Sequence, residues 1–277
     1  MSTAGLATVT SLLFVPGHRP DRFAKAADAG AGAIILDLED AVAPEDKDAA
    51  REHVAAWLAD DGRGIVRINA PGTSWYAEDL KAVAGHPVML PKAETANQVA
   101  EVAAALGRDP AVLPLIETAA GILAAAQILA ATGVVRAAFG SIDLSVGLGV
   151  DPEDRTALLF ARSRLVLASA AAGVAGPVDG VTTDVTDETR LAADARHGAA
   201  LGFTGKLCIH PRQLAVVHEA FRPSDDELRW ARHVVEAFSN AGISTLDGKM
   251  IDKPVVDRAR RMLARVGEGA AVPSRTC

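Results

Sequence analysis

The sequence has few of the residues that mark several large protein classes. Only Cys208 and Cys277 are cysteines among 277 residues, and no CxxC pair occurs. This excludes a disulfide framework and a cysteine-based zinc site, and we expect a protein of the reducing cytoplasm. Aromatic residues make up only 4% of the chain. The 49% of residues that are hydrophobic are therefore mostly aliphatic and alanine, which is enough for a sizeable core.

Basic clusters and long apolar segments are missing as well. The chain has 28 basic and 35 acidic residues, a net charge of −7, and no Lys/Arg-rich run. Nucleic acid is therefore not an expected partner, because binding phosphates requires clustered basic side chains. The longest uncharged stretch, residues 118–135, contains Gln127, Thr132 and Gly133, which favours a buried helix over a membrane span. Residues 1–17 lack a basic segment, so we expect a disordered start followed by a strand rather than a signal peptide.

Short apolar runs bounded by Gly, Pro or Asp recur along most of the chain. Eight such runs are candidate strands, at residues 10–15, 33–38, 64–68, 88–90, 112–116, 137–139, 177–181 and 204–209. Segments with helical spacing lie between them, at residues 20–29, 45–59, 93–106, 121–131, 154–172 and 187–201. Apolar strands that alternate with helices predict a parallel sheet covered by helices.

The number of these units favours a closed barrel. Eight units within about 210 residues suit a (β/α)8 TIM barrel better than an open doubly wound sheet. No GxGxxG follows the first strand and no GxxxxGK[ST] occurs, which argues against a nucleotide-binding open sheet. We therefore predict a barrel over residues 1–220 and a C-terminal helical arm over residues 221–277.

The arm contains two predicted helices. Ser224 suits the N-cap of a helix that runs to residue 239, and residues 254–266 form the second. The link between them, residues 240–253, is rich in glycine and polar residues. Such an appendage is too short for a domain with its own core, so we expect a lid or an oligomerisation arm.

Polar residues directly after the strands are the candidates for chemistry, because active sites of such barrels lie at the C-terminal strand ends. Glu117 and Asp143 follow neighbouring strands. Their carboxylates either converge on Mg²⁺, with water and substrate oxygens completing the coordination, or cap the next helices or pair with arginine. Asp37, Glu39 and Asp40 either orient metal-bound water or begin a helix.

Three basic residues also lie at these strand ends. Arg67 occurs in an otherwise apolar strand, so it binds either a substrate carboxylate or the cluster of residues 37–40. Lys92 and Lys206 raise a competing possibility, a Schiff-base aldolase, because a buried lysine of lowered pKa can attack a carbonyl. A metal site at the same rim would make an imine unnecessary.

Taken together, the strand-end motifs resemble the citrate lyase beta-subunit-like group of the HpcH/HpaI aldolase family. Any one motif is weak, but the set in this order is highly specific, and the resemblance runs from about residue 12 to 265. The matching segments are residues 14–22, 36–42 with Lys47, 66–69, 88–94, 116–118, 140–144, 202–203 and 205–211.

The resemblance implies a Mg²⁺-dependent lyase that acts on a 3-hydroxyacyl-CoA thioester such as citramalyl-, malyl- or citryl-CoA. Glu117 and Asp143 would be the metal ligands, and Arg67 would bind the carboxylate of the 2-keto acid. The region of Arg19, together with Lys92, would face the CoA phosphates. A departure from the family pattern at residues 145–149 affects the shape of the substrate pocket.

The resemblance also assigns a role to the arm. Residues 248–254 match the segment from which relatives supply an aspartate to a neighbouring subunit, so Asp252 would be the acid/base, with a water held by Asp40 as the alternative. This implies a homo-oligomer, a trimer or a hexamer. A non-catalytic role as the beta subunit of a citrate lyase complex is a further hypothesis. No membrane partner is expected.

Overall fold

The computed structural model describes residues 2–241, 244–246 and 249–268. Internal contacts divide the chain into two compact units, of which the first ends at His218 and the second begins at Glu219.

The first unit is a closed barrel of eight parallel strands paired in sequence order, with β8 returning to β1. The strands are β1 (Ser11–Pro16), β2 (Ala33–Asp37), β3 (Ile65–Arg67), β4 (Val88–Leu90), β5 (Val112–Ile116), β6 (Arg136–Phe139), β7 (Ala175–Asp179) and β8 (Gly205–Cys208). The predicted barrel is therefore confirmed, and each predicted strand overlaps an observed one.

Ten helices belong to or border this barrel. They are α1 (Thr3–Thr8), α2 (Phe23–Ala27), α3 (Lys47–Ala59), α4 (Tyr76–Ala82), α5 (Ala96–Leu106), α6 (Ala119–Leu129), α7 (Ser141–Leu148), α8 (Leu159–Ala172), α9 (Glu188–Leu201) and α10 (Gln213–Phe221). The sequence does not predict α1, α4 or α7, which have six, seven and eight residues, because helices this short show little periodicity. No helix within the described residues has the length and apolar character that crossing a membrane requires.

Alternation along the strands decides which side chains face the barrel interior. Leu113, Leu115 and Leu207 belong to the interior apolar cluster. Because successive strand residues point to opposite faces, Glu117 continues the inward-facing row of β5, whereas Lys206, beside Leu207, points outward to the helices. Glu117 and Lys206 therefore face opposite sides of the barrel wall, although both are charged residues within or directly after an apolar run.

The N-terminus differs from the expected disordered start. Residues 3–8 form α1, capped by Ser2, and the fully buried Leu6 joins the interior cluster. Arg136, at the start of β6, donates hydrogen bonds to the carbonyls of Leu6 (3.3 Å) and Val9 (2.8 Å). Burial lowers the pKa of Arg136 to about 10. The helix is held by tertiary contacts that are distant in sequence, which the local pattern cannot reveal.

The described residues of the second unit form two helices and a strand pair. The elements are α11 (Asp225–Ala241), β9 (Ser244–Leu246), β10 (Lys249–Ile251) and α12 (Lys253–Ala264), and β9 and β10 are antiparallel. Ser224 Oγ accepts from Glu227 N at 3.3 Å, which confirms the predicted cap. Contrary to expectation, the unit has a small apolar core, built from Leu228, Ala231, Val234, Ile251, Val256, Ala259 and Leu263.

Candidate active site

An open pocket of about 360 Å³ lies at the C-terminal ends of the barrel strands. Both predicted metal ligands and three of the predicted polar residues from β2 and β3 line it. The lining is Phe14, Asp37, Asp40, Ala41, Arg67, Leu115, Glu117, Phe139, Gly140, Ser141, Ile142, Asp143, Val181 and Ile209. The strand-end residues therefore meet in one place, as parallel strands of a barrel require.

Arg67 forms the internal salt bridge that was the alternative to substrate binding. Its Nε donates to Asp37 Oδ1 at 2.7 Å and its Nη2 to Asp37 Oδ2 at 2.5 Å. Nη1 lies 3.2 Å from carboxylate oxygens of both Asp40 and Glu39. Burial opposes the charge, but the neighbouring carboxylates, Asp37 foremost, raise the pKa of Arg67 above its usual value. The guanidinium stays charged, with Nη1 as the edge nearest the exposed Asp40.

The loop after β2 is folded around the Asp37 carboxylate. Asp37 Oδ1 accepts from Glu39 N at 2.9 Å, and Asp37 Oδ2 accepts from Ala41 N at 3.1 Å. The acids at 37–40 therefore do not cap a helix, as one interpretation of the sequence held. They form one end of an ion network across β2 and β3.

Lys92 connects the acids that follow β2, β5 and β6. Its Nζ lies 2.7 Å from Glu39 Oε1 and 3.6 Å from Asp143 Oδ2, and its backbone N donates to Glu117 Oε1 at 2.8 Å. The residue has φ +47°, a left-handed conformation uncommon for a lysine and characteristic of functional sites. Although burial favours the neutral amine, the carboxylate of Glu39 raises the pKa of Lys92.

Glu117 is the most perturbed carboxyl group of the pocket. Burial, reinforced by the charges of Glu39 and Asp143, raises its pKa to about 8. A Cβ atom at Gly140 would lie 2.5 Å from Glu117 Oε2, so glycine is required there to leave room for the carboxylate. A buried acid among other acids is stabilised in its charged form by a cation.

Neither predicted metal ligand caps a helix. Thr118 caps α6, and Gly140 occupies the cap position of α7, whose first turn contains Asp143. Within the residues that the structure describes, no group of three or more His, Cys, Asp or Glu side chains converges as a complete metal cage. Glu117 and Asp143 are two carboxylates that line the same pocket, and carboxylate oxygens are the donors that Mg²⁺ prefers, with water and substrate completing the coordination.

Arg19 and Asp252 do not line this pocket. Arg19 lies in the segment that follows β1. It donates two hydrogen bonds of 2.9 Å to Asp21, and 40% of its side chain is exposed. Asp252 belongs to the second unit, where it caps α12 by accepting from Val255 N at 3.2 Å.

The geometry argues against both lysines as imine formers. Lys206 faces outward, lines a different cavity and donates to Gly180 O at 2.6 Å. Lys206 therefore does not face the barrel interior, where a Schiff-base lysine was considered, because it occupies an outward-facing position of β8. Lys92 lies at the pocket, but its raised pKa is the opposite of what a nucleophilic amine needs.

A buried network that the sequence did not single out supports the loop after β2. Lys47 Nζ donates to Leu38 O and Glu39 O at 2.8 Å each, and to Asn69 Oδ1 at 2.6 Å. Asn69 in turn donates to Asp79 Oδ2 at 2.7 Å. Lys47 was part of a matching motif, but only the tertiary structure brings it next to Asn69.

Comparison with known proteins identifies the family of this chain. The model of the HpcH/HpaI aldolase/citrate lyase family matches residues 10–211. The chain belongs to this family. A citrate lyase subunit beta-like protein of Mycobacterium tuberculosis is 45% identical over 269 residues, which cover 94% of this chain and 96% of that protein. A (3S)-malyl-CoA thioesterase of Cereibacter sphaeroides is 37% identical over 274 residues, which cover 94% and 95% of the two proteins.

A solved structure extends the comparison to the fold. The M. tuberculosis protein CitE in complex with magnesium, acetoacetate and coenzyme A superimposes with a TM-score of 0.84 at 43% identity, covering 95% of this chain and all of that chain. As a member of the HpcH/HpaI aldolase/citrate lyase family, the chain is an enzyme of the lyase class.

Proposed function

We propose that this protein is a Mg²⁺-dependent carbon–carbon lyase that acts on a 3-hydroxyacyl-CoA thioester such as citramalyl-, malyl- or citryl-CoA. It would release a short acyl-CoA and a 2-keto acid, or join them. The observation that carries the proposal is the meeting of Glu117, Asp143 and Arg67 at one pocket. Relatives whose structures contain magnesium with coenzyme A and acetoacetate, or with oxaloacetate, support this chemistry.

Glu117 and Asp143 would hold the metal ion. Both residues line the pocket and have carboxylate oxygens, the hard donors that Mg²⁺ prefers. The surroundings of Glu117 raise its pKa, and a bound cation would lower it again. When bound, Mg²⁺ supplies Lewis-acid stabilisation of negative charge on the keto-acid oxygens. Lys92, 3.6 Å from Asp143, would keep that carboxylate oriented toward the pocket.

Arg67 would bind the carboxylate of the keto acid through Nη1. Its other two nitrogens, Nε and Nη2, each donate to Asp37, so the substrate would meet a guanidinium already fixed in place. Asp40, whose side chain is 57% exposed, lies 3.2 Å from Nη1 and would move aside or hold a water there. Removing the β-hydroxyl proton would then fall to Asp252 or to a water held by Asp40.

The CoA part would be bound outside the acidic pocket. Arg19 and Lys92 each have 40% of their side chain exposed and present a positive charge suited to phosphate. Arg19 is paired with Asp21, which a phosphate would displace.

We also propose that the protein is a homo-oligomer in which Asp252 acts on a neighbouring subunit. Large apolar side chains are exposed on three helices: Leu123 of α6, Val146 of α7, and Phe160 and Leu167 of α8, the last two at 66% and 71%. Exposed apolar clusters of this kind mark association surfaces. Because α7 also carries Asp143, a second copy packed on this surface would lie close to the pocket.

The test is a panel of malyl-, citramalyl-, citryl- and 3-hydroxy-3-methylglutaryl-CoA, each with Mg²⁺ and with EDTA. Keto acid and free thiol are measured separately, which distinguishes carbon–carbon cleavage from thioester hydrolysis. We expect keto-acid release from one thioester, its loss in EDTA, and a loss of at least about 100-fold in Glu117→Gln. Glu101→Gln, on the exposed side of α5, is the matched control and should retain activity.

Three results would contradict the proposal. If cleavage persists in EDTA, or if Glu117→Gln cleaves as fast as the wild type, the proposed metal site is wrong. Absence of activity from the isolated chain with every thioester, together with stoichiometric co-purification with citrate lyase subunits, would favour the role of a non-catalytic beta subunit instead.

A further inference from the structure

A second, smaller cavity of about 40 Å³ lies on the outward side of β7 and β8. Arg162 of α8, Asp194 and His197 of α9, and Lys206 of β8 line it. Ser141 and Ile142 line both this cavity and the catalytic pocket, so the two share a wall at the first turn of α7.

The guanidinium groups at this cavity are each matched by an acid. Arg162 Nε lies 3.0 Å from Asp179 Oδ1, and Arg155 Nη2 lies 2.9 Å from Asp194 Oδ1. Arg190 pairs in the same way with Glu153. Three positive and three negative charges are therefore paired, and Lys206 belongs to none of these pairs.

Lys206 is a buried amine with incomplete bonding, and burial lowers its pKa. Its side chain is only 2% exposed, and its Nζ donates one hydrogen bond, to Gly180 O, out of three that an ammonium group can make. Among the described residues no carboxylate forms a close ion pair with it, although the charges of Asp179 and Asp194 favour its charged form. His197 Nε2, also at the cavity, is buried without a hydrogen-bond partner in the described part of the chain.

We propose that this cavity binds a small monovalent anion, such as chloride or formate, against Lys206. An anion beside its Nζ would stabilise the charged form of Lys206, which burial without a counter-charge disfavours. A volume of about 40 Å³ is room for about three water-sized groups, which admits chloride or a one-carbon carboxylate. Lys206, Arg162, Asp194 and His197 do not line the catalytic pocket, so the anion would not take the place of substrate.

The anion would act on the wall shared with the catalytic pocket. Lys206 holds Gly180 O, and Gly180 packs so closely on Ser141 that an added Cβ would lie 2.3 Å from Ser141 Oγ. Ser141 begins α7, the helix of Asp143. An occupied site would therefore stabilise the position of α7 without contacting substrate.

The experiment is thermal unfolding in sodium chloride and sodium formate, compared with sodium gluconate at equal ionic strength. Gluconate is too large for the cavity and controls for general salt effects. We expect chloride and formate to raise Tm saturably by about 3 °C or more relative to gluconate. Equal Tm values in all three salts would overturn the proposal.

Variants separate this site from other anion effects. Lys206→Met keeps the side-chain volume and removes the charge, and it should abolish the difference between chloride and gluconate. If Lys206→Met does not fold, Arg190→Gln at the cavity edge should reduce the Tm difference at least threefold. Arg196→Gln, exposed on the same helix α9, should leave it unchanged. An undiminished difference in Lys206→Met or Arg190→Gln would place the anion elsewhere.

Crystals grown in sodium bromide give a direct readout. Anomalous scattering from bromide should show a peak within hydrogen-bond distance of Lys206 Nζ in the wild-type protein and none there in Lys206→Met. A wild-type map without this peak would overturn the proposal.

Discussion

Arg67 and Asp37 join two neighbouring barrel strands by a pair of parallel hydrogen bonds, with Nε 2.7 Å from Oδ1 and Nη2 2.5 Å from Oδ2. Asp37 ends β2 and Arg67 ends β3, and their Cα atoms are register partners in the sheet. The pair fixes the guanidinium plane before any substrate arrives. Nη1 is the one guanidinium nitrogen that Asp37 does not contact, and it lies 3.2 Å from carboxylate oxygens of Asp40 and Glu39.

Replacing Arg67 by lysine tests this division of the guanidinium. An ammonium group cannot bind both oxygens of Asp37 in the fork and still present a fixed donor to substrate. We expect Arg67→Lys to keep the fold and to lower kcat/KM by about 100-fold or more, measured with the thioester that the panel identifies. Arg196→Lys, on the exposed face of α9, is the control. Activity of Arg67→Lys close to wild type would show that the carboxylate binds elsewhere.

The raised pKa of Glu117 should make the free energy of unfolding depend on pH when no metal is bound. Its pKa is raised from 4.5 to about 8, so the folded protein holds a proton that the unfolded chain has lost. The resulting stability is complete below pH 4.5 and is lost as pH rises through 8, on the order of 5 kcal/mol. Urea unfolding in EDTA across this range should show the decline, and Mg²⁺ should oppose it at the upper end.

Glu117→Gln provides the control for this pH dependence. The glutamine does not titrate, so its decline in unfolding free energy should be smaller than that of the wild type. Part of the decline should remain, because burial also raises the pKa of Glu39. Parallel curves for the two proteins would assign the effect to other groups.

Lys47 is expected to stabilise the loop that carries Glu39. In Lys47→Met, two carbonyls and Asn69 Oδ1 lose their buried donor, and we expect the free energy of unfolding to fall by about 3 kcal/mol. Lys81→Met, at a lysine with 72% of its side chain exposed, should change it by less than about 0.5 kcal/mol. Chemical denaturation of both variants decides this, and equal stabilities would contradict the role of the network.

Asp252→Asn tests action on a neighbouring subunit. Asparagine is also a good N-cap, so α12 should remain intact while the acid/base function is lost. Asp252→Asn and Glu117→Gln should each be inactive, yet an unfolded and refolded mixture should regain part of the activity through mixed oligomers. A mixture as inactive as its components would argue for action within one chain.

Phe160→Asp tests the exposed apolar surface of α6, α7 and α8. A charge in the middle of an apolar interface is strongly destabilising to association. Light scattering should show an oligomer for the wild type and a smaller species for Phe160→Asp, while Glu101→Arg on α5 should leave the size unchanged. A monomeric wild type with full activity would contradict both the oligomer and the trans role of Asp252.

The strand-end residues show how far local pattern reaches. Glu117 and Asp143 were predictable as pocket residues because each follows an apolar run, and parallel strands of a barrel end on one side. Lys206 also lies in an apolar run, but the alternation along β8 turns it outward. Glu117 and Lys206 thus face opposite sides of the barrel wall. A shift of one residue along a strand reverses the direction of a side chain, and the composition of a four-residue strand does not show which direction applies.

The sequence alone determined the eight-stranded barrel, most helix positions and the family, because these depend on apolar periodicity and on motifs in a fixed order. Only the tertiary structure decided which charge meets which. Arg67 pairs with Asp37, 30 positions away in the sequence. Arg136 donates to the carbonyl of Leu6, 130 positions away, where α1 packs against the barrel core. Such pairings form only when the barrel closes. The energy of a buried charge depends on the groups around it, and these groups are distant from it in the sequence.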